Sequence, residues 1–181
     1  MRNTLADVVE TALRVLDDHG LEFCSMRRVA AALDVQPSAL YHHVPNKQTL
    51  LALMADEIVR GVAGEDPASV CRSLRAATLA IRDGADVVAT ASAFRLGASS
   101  VEALLASMVG ADGARTLLLY TFGQAQATQT QLQAQALGAL PQAVDVASGG
   151  ADPLPDLDRQ LREGFDRGIE IILAGVADSR V

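Results

Sequence analysis

The stretch "MRRVAAALDVQPSALYHHVPNK", Met26 to Lys47, sets Tyr41, His42 and His43 side by side in a chain with only two tyrosines and three histidines. The residues around them suggest why. Ala30 is small enough for two helices to touch there, and Val29, Leu33, Val35, Leu40 and Val44 supply an apolar wedge. Ser25 suits the N-cap of a helix over Met26–Leu33. The chain breaks at 34–36, and Pro37 suits the first turn of a short following helix. Asp34 stands in the turn where glycine is common, and aspartate tolerates left-handed backbone.

Stepping about 100° per residue from an inward Leu40 returns Val44 to the same side. Ser38 and His42 then point opposite, Tyr41 and Ala39 flank them, and His43 falls nearer the inner side. The outward face displays a hydroxyl, a phenol and an imidazole, short groups able to reach base edges or phosphates. This is the layout of a helix-turn-helix whose second helix enters the major groove. On periodicity alone, a helical module that binds no nucleic acid remains an equal alternative.

The 181 residues can bury a real core in one domain, or in a small module joined to a larger one. Half are apolar and a fifth charged, as in globular chains, and aromatics are so scarce that Ala, Leu and Val must fill the interior. No apolar run approaches the ~20 residues a membrane helix needs. The opening "MRNTLADVVE" carries acids where a signal peptide is apolar. The expectation is a cytoplasmic protein with Cys24 and Cys71 as reduced thiols. The net charge of −7 is unevenly spread. Between Cys24 and Lys47, Arg27, Arg28 and Lys47 oppose Asp34 alone, a local +2; from Gln48 onward ten basic and sixteen acidic residues leave −6. A cationic patch on an acidic body can dock on phosphate while the remainder suppresses promiscuous binding.

Helical periodicity runs throughout. A first helix is expected over 4–18, stopped by Gly20, and a fourth from an Asn46 cap to about Gly64. Further helices are expected near 68–82, 86–96, 100–109 and 113–137. "LGALPQAVDVASGGADPLP", with three prolines and three glycines, reads as a loop. A last helix over 156–177 carries the stripe Leu157, Leu161, Phe165, Ile169, Ile172 and Val176. Gly164, Gly168 and Gly175 lie on it, and each costs ~1 kcal/mol in a helix, which points to a packing reason. The glutamines from Gln124 to Gln135 form no single stripe. The fold is therefore all-α, with a three-helix head at 1–47 and a helical body at 48–181 joined through the 47–64 connector.

"MRRVAAALDVQPSALYHHVPNKQTLLALM" resembles the DNA-binding head of the TetR family of bacterial transcriptional regulators. It shares the Leu-x-Val turn, the "LYHH" core of the recognition helix, and "NK" before a Leu-rich fourth helix. "IRDGADVVAT", "YTFGQAQATQ" and "FDRGIEIILAGV" are similar, more weakly, to the regulatory domain of the tetracycline repressor. The resemblance implies a homodimeric, ligand-responsive regulator, a repressor by family default, on a palindromic operator. It places Arg27 at a guanine edge, Pro37, Ser38, Tyr41 and His42 near bases, and His43 and Lys47 on phosphate, with Tyr41 able to share that contact. Arg28 is left open between phosphate contact and solvation. His42 stands where many such repressors carry tryptophan, so the operator should differ.

The resemblance also implies a dimer seam from the 113–137 and 156–177 helices and an effector pocket below the head. Leu74, Val88, Leu105, Met108, Tyr120, Phe122 and Gln124 are its expected lining, each equally explicable as core. Where the tetracycline repressor chelates magnesium–tetracycline through a histidine and a glutamate, this chain has Val88 and Ala127. With all three histidines in the head, no metal site and no cofactor are expected. The expected effector is small, mostly apolar and not metal–tetracycline. No catalytic triad spacing, metal motif or phosphate loop stands out, so no enzyme is expected.

Overall fold

Thr4 and Asp7 start the first helix by satisfying each other. The Asp7 N–H donates to Thr4 Oγ1 at 3.2 Å and the Thr4 N–H to Asp7 Oδ2 at 2.7 Å, covering two otherwise orphaned donors. Helix α1 (Leu5–His19) buries Val8, Val9, Ala12, Val15 and Leu16, then ends where Gly20 takes φ +80°. Ser25 caps α2 (Met26–Ala32) by accepting from the Arg28 N–H at 3.3 Å. Asp34 does adopt the left-handed region, at φ +55°. Pro37 opens α3 (Pro37–Tyr41), and Asn46 Oδ1 accepts from the Thr49 N–H at 2.8 Å to cap α4 (Lys47–Val59).

The body continues with α5 (Pro67–Leu79), α6 (Gly84–Ala93), α7 (Ser99–Ala136) and α8 (Leu157–Asp178). This computed structural model describes residues 4–138 and 157–178, and those residues contain eight helices and no strand. The loop expected at 137–155 lies, from residue 139 on, outside them. Within α7 the backbone leaves helical geometry at Gly110 (φ 80°, ψ 168°). The break expected between the runs at 100–109 and 113–137 thus falls at Gly110, where two helical runs of α7 meet. Among the described residues no helix is long and apolar enough to cross a membrane.

Four boundaries differ from expectation, where glycines and left-handed residues form the turns between helices. Helix α4 stops at Val59, short of Gly64, because Gly64 belongs to the turn onto α5. A Cβ there would meet the Ser69 side chain and, at 2.6 Å, the Val70 nitrogen. Helix α5 stops at Leu79 and α6 begins at Gly84, because Asp83 turns left-handed at φ +56° and Gly84 lies against the Thr78 carbonyl. Helix α6 ends at Ala93, with Arg95 and Ala98 both at positive φ before α7.

Helix α4 packs on α1 on one side and α6 on the other, while α7 packs on α5, α6 and α8. The buried apolar residues form one continuous cluster, from Val8 and Leu16 through Leu50 and Met54 to Phe165 and Ile169. Burying a leucine or valine fully is worth about 1.5–3 kcal/mol, so this shared interior holds head and body as one packing unit.

Candidate nucleic-acid interface and effector site

Helix α3 is short, and its inner side is tied down by Leu40, 1% exposed, and Val44, fully buried. That anchoring turns the remaining residues outward. Ser38, Ala39 and His42 are exposed, and Tyr41 is half-exposed at 50%. Pro37 is half-buried at the helix start. His43 differs from expectation: it too is exposed, although Val44 beside it is fully buried. The His43 and Val44 N–H groups both close onto the Leu40 carbonyl, at 3.0 and 2.9 Å.

The basic residues frame this surface. Arg27 and Arg28 are exposed on the first turn of α2, and Lys47 is half-buried at the start of α4. Arg28 is not simply solvated, since its guanidinium lies over the exposed Phe23 ring, 5.6 Å from the centroid, a geometry that favours a cation on an aromatic face. Beneath the head Cys24 is buried, and burial pushes its thiol up against the opposing influence of Lys47. Cys71 is raised by burial in the body, and neither cysteine is bridged.

Of the expected pocket residues, Leu74, Val88 and Leu105 are sealed in the core and Phe122 is 6% exposed, while Met108, Tyr120 and Gln124 are half-buried. They do not gather on one wall. Phe122 lines a cleft of about 250 Å³ between α6 and α7 with Ala89, Ser92, Arg115 and Gln126. Tyr120 instead faces α8: its ring stacks on Phe165 at 5.7 Å, and its hydroxyl donates toward the Gly164 and Phe165 carbonyls at 3.3 Å. Burial pushes the Tyr120 phenol up, with a bond from Gln124 opposing it. Gly168 supplies the notch for this phenol, because any Cβ there would overlap the hydroxyl. A Cβ at Gly164 would meet only the Arg167 side chain at 4.0 Å, and at Gly175 nothing within 4 Å, among the described residues.

Two sets of residues escape a reading of the sequence. The first ties head to body at the α5–α6 turn. Asp83 Oδ2 accepts from the Leu21 N–H at 2.7 Å, and its Oδ1 from Gln133 Nε2 at 2.9 Å. Asp17 Oδ1 accepts from the Arg82 N–H at 3.0 Å. Gln129 clamps the same turn, donating to the Ile81 carbonyl at 2.8 Å and accepting from the Ala85 N–H at 3.3 Å. Gln126 donates to Asp86 at 2.7 Å. So Gln126, Gln129 and Gln133 form a line along α7, because spacings of three and four put them on one face, while Gln124, Gln131 and Gln135 lie off it, so the six make no single stripe, as expected. A second tie lies on α4, where Asp56 Oδ1 accepts from the Ala98 N–H at 2.8 Å and Gly97 lies against the Ala52 carbonyl. The "RDG" at 82–84 was the available signal, being a left-handed turn in waiting.

The second set surrounds Arg75, which is 7% exposed. It shares the α5 inner face with Cys71, Leu74 and Thr78, so its position on an apolar stripe was the clue. Burial lowers its pKa, and Asp158 opposes that. Among the described residues no three or more His, Cys, Asp or Glu side chains are grouped to hold a metal ion.

Residues 8–54 match the family model described as bacterial regulatory proteins, tetR family. The HTH-type transcriptional repressor DrrR1 of Streptomyces coeruleorubidus is 48% identical over 67 residues, 37% of this chain and 24% of that repressor. Such matches span less than half the length of the curated relatives concerned. Solved structures align almost throughout. Mycobacterium smegmatis BioQ superposes with a TM-score of 0.81 at 32% identity, covering 97% of this chain and 98% of that one. A structure of BioQ with its double-stranded DNA operator gives 0.75 at 30%, with 97% and 98% covered. Streptomyces coelicolor ActR bound to actinorhodin gives 0.67 at 26%, with 99% of both covered.

Proposed function

Because this chain belongs to the TetR family of bacterial transcriptional regulators, we propose that it is a ligand-responsive repressor. It binds a palindromic operator as a homodimer and is released by a small, mostly apolar effector other than magnesium–tetracycline. The observation that carries this is the outward set Ser38, Tyr41, His42 and His43, held on a helix whose opposite side is buried. Arg27 reaches a guanine edge, with Pro37, Ser38, Tyr41 and His42 at the bases. His43, Lys47 and Arg28, the last steadied by Phe23, bind phosphate. The alternative of a helical interaction module without a DNA role loses its footing with the family match, and no catalytic role is assigned.

The dimer seam is formed by α8 and the second run of α7, on which Leu119 and Ile171 are 62% and 73% exposed. A two-fold axis there sets two α3 helices about one turn of DNA apart. The effector enters among Leu74, Val88, Leu105, Met108, Tyr120, Phe122 and Gln124. Since these lie on both sides of α7, ligand acts by shifting α7 rather than by filling one preformed hole. The glutamine line on α7 passes that shift to the α5–α6 turn, and Asp83 and Asp17 pass it to the head. Operator affinity then falls by the factor with which ligand prefers the shifted state.

Selecting duplexes from a random pool and measuring anisotropy with the winner tests the reading. Tyr41→Ala should cost about 1–3 kcal/mol and relax base preference. Lys47→Ala should weaken all sequences alike and lower the salt slope by about 1. Failure to enrich any palindrome at low salt overturns it.

A further inference from the structure

Among the described residues, Arg75 is the side chain whose chemistry the architecture leaves unanswered. It is more than nine-tenths buried on α5, yet it forms no ion pair among the described residues. Its Nη2 donates to Thr128 Oγ1 at 3.2 Å, and its Nε has no acceptor among the described residues. The Phe165 ring of α8 covers it, 5.3 Å from ring centre to guanidinium carbon. A buried cation costs several kcal/mol unless paired and hydrogen-bonded, and a neutral hydroxyl with an aromatic face repays that only in part. Cys71 and Leu74 on α5 and Ile169 on α8 are buried, while Asp158, Arg162, Asp166 and Tyr120 act on the guanidinium electrostatically.

We propose that Arg75 is the anchor for an effector with a single carboxylate on an apolar body. This rests on the reading of the body as an effector domain and narrows the ligand from mostly apolar to apolar with one negative end. A carboxylate can take the vacant Nε–H and the remaining Nη2 hydrogen in parallel, the fork that guanidinium presents to planar anions. Thr128 completes the cradle. A monoanion is selected over a phosphate dianion because Asp158 and Asp166 already lend the guanidinium negative field. The carboxylate displaces Phe165 from the guanidinium, so occupancy moves α8. It also loosens the stack on Tyr120 of α7, coupling the anion to both helices assigned to the dimer seam.

The test uses full-length wild type, Arg75→Met and Arg75→Lys, titrated calorimetrically with octanoate and, as the uncharged control, 1-octanol. Wild type should bind octanoate at least ten-fold more tightly than octanol. Arg75→Met should keep octanol affinity and lose the preference, and Arg75→Lys should retain only part of it, having charge without the fork. Arg75→Met should melt at or above the wild-type temperature, since an unpaired buried charge is replaced by an apolar chain of similar length. Equal binding of acid and alcohol, binding of neither, or a preference that survives in Arg75→Met overturns the proposal. So does a melting temperature several degrees lower in Arg75→Met, which would make the guanidinium part of the core's own support. Operator anisotropy without octanoate is run in parallel. Loss of DNA binding by wild type sinks the regulator reading alone, whereas intact DNA binding with no acid preference sinks the anchor alone.

Discussion

Replacing Asp83 tests how strongly head and body are tied. Asp83→Ala removes the acceptor for the Leu21 N–H, a part-buried bond at 2.7 Å to a charged oxygen, worth about 1.5–3 kcal/mol. The exposed bond from Gln133 at 2.9 Å adds about 0.5 kcal/mol. Alanine must also occupy φ +56°, at a further cost of about 1 kcal/mol. The sum is about 3–4.5 kcal/mol, which for a chain of this size lowers the melting temperature by about 10 °C. Asp83→Gly loses the same bonds without the backbone strain, so it should be milder by about 1 kcal/mol. Urea denaturation followed by circular dichroism measures both, and hydrogen exchange at the Leu21 amide locates the damage, with protection falling in either variant. If the two variants are equally destabilised, the strain argument is wrong. If both stay within about 0.5 kcal/mol of wild type, a typical effect for featureless surface positions, the tie does not exist.

Asn46→Ala should cost about 1 kcal/mol by stripping the cap from α4, visible as a lower urea midpoint. Gly168→Ala should destabilise by about 1–3 kcal/mol, because its methyl evicts the Tyr120 hydroxyl and breaks the stack on Phe165; tyrosine emission should change alongside. Both cysteines are buried with raised thiol pKa values, so iodoacetamide at mildly alkaline pH should leave native protein unlabelled and modify two sites once it is unfolded; rapid native labelling would contradict their burial. Asp7, held below the ordinary carboxylate range by the Thr4 N–H, supports α1 above the unfolded carboxylate pKa. That support should vanish as pH falls through its lowered value, which an NMR titration of Asp7 alongside urea denaturation over the same pH range resolves.

The head is legible because its signals are local. Ser25, Asn46 and Pro37 each act within one helical turn, and Asp34 needs nothing but its own backbone to turn left-handed. Periodicity places Val44 on the buried side but misplaces His43, which is exposed. It overextends α4 because Gly61 and Gly64 look alike in sequence, although Gly64 serves the next helix. The ties at Asp17, Asp83 and Asp56 join residues 42 to 65 positions apart. No pattern along one helix announces such partners. The glutamines illustrate the same limit: their line on α7 becomes visible only once Gln124, Gln131 and Gln135 are set aside by what Gln126, Gln129 and Gln133 touch. Hydropathy picks out the expected effector residues, but it cannot say on which side of a buried helix each one falls.

The unbroken interior from Val8 to Ile169 bears on how such heads can be exchanged between relatives. A recombination joint placed at Lys47 would strip α1 of the Leu50, Met54 and Ile58 side chains beneath it and leave two mismatched half-surfaces. Hybrids that swap operator preference should therefore inherit α4 along with α3, and also the matching residues at Asp17 and Asp83. If α3 reads the operator as proposed, its specificity should travel as a block of four helices together with the Asp83 carboxylate, and not as those five residues alone.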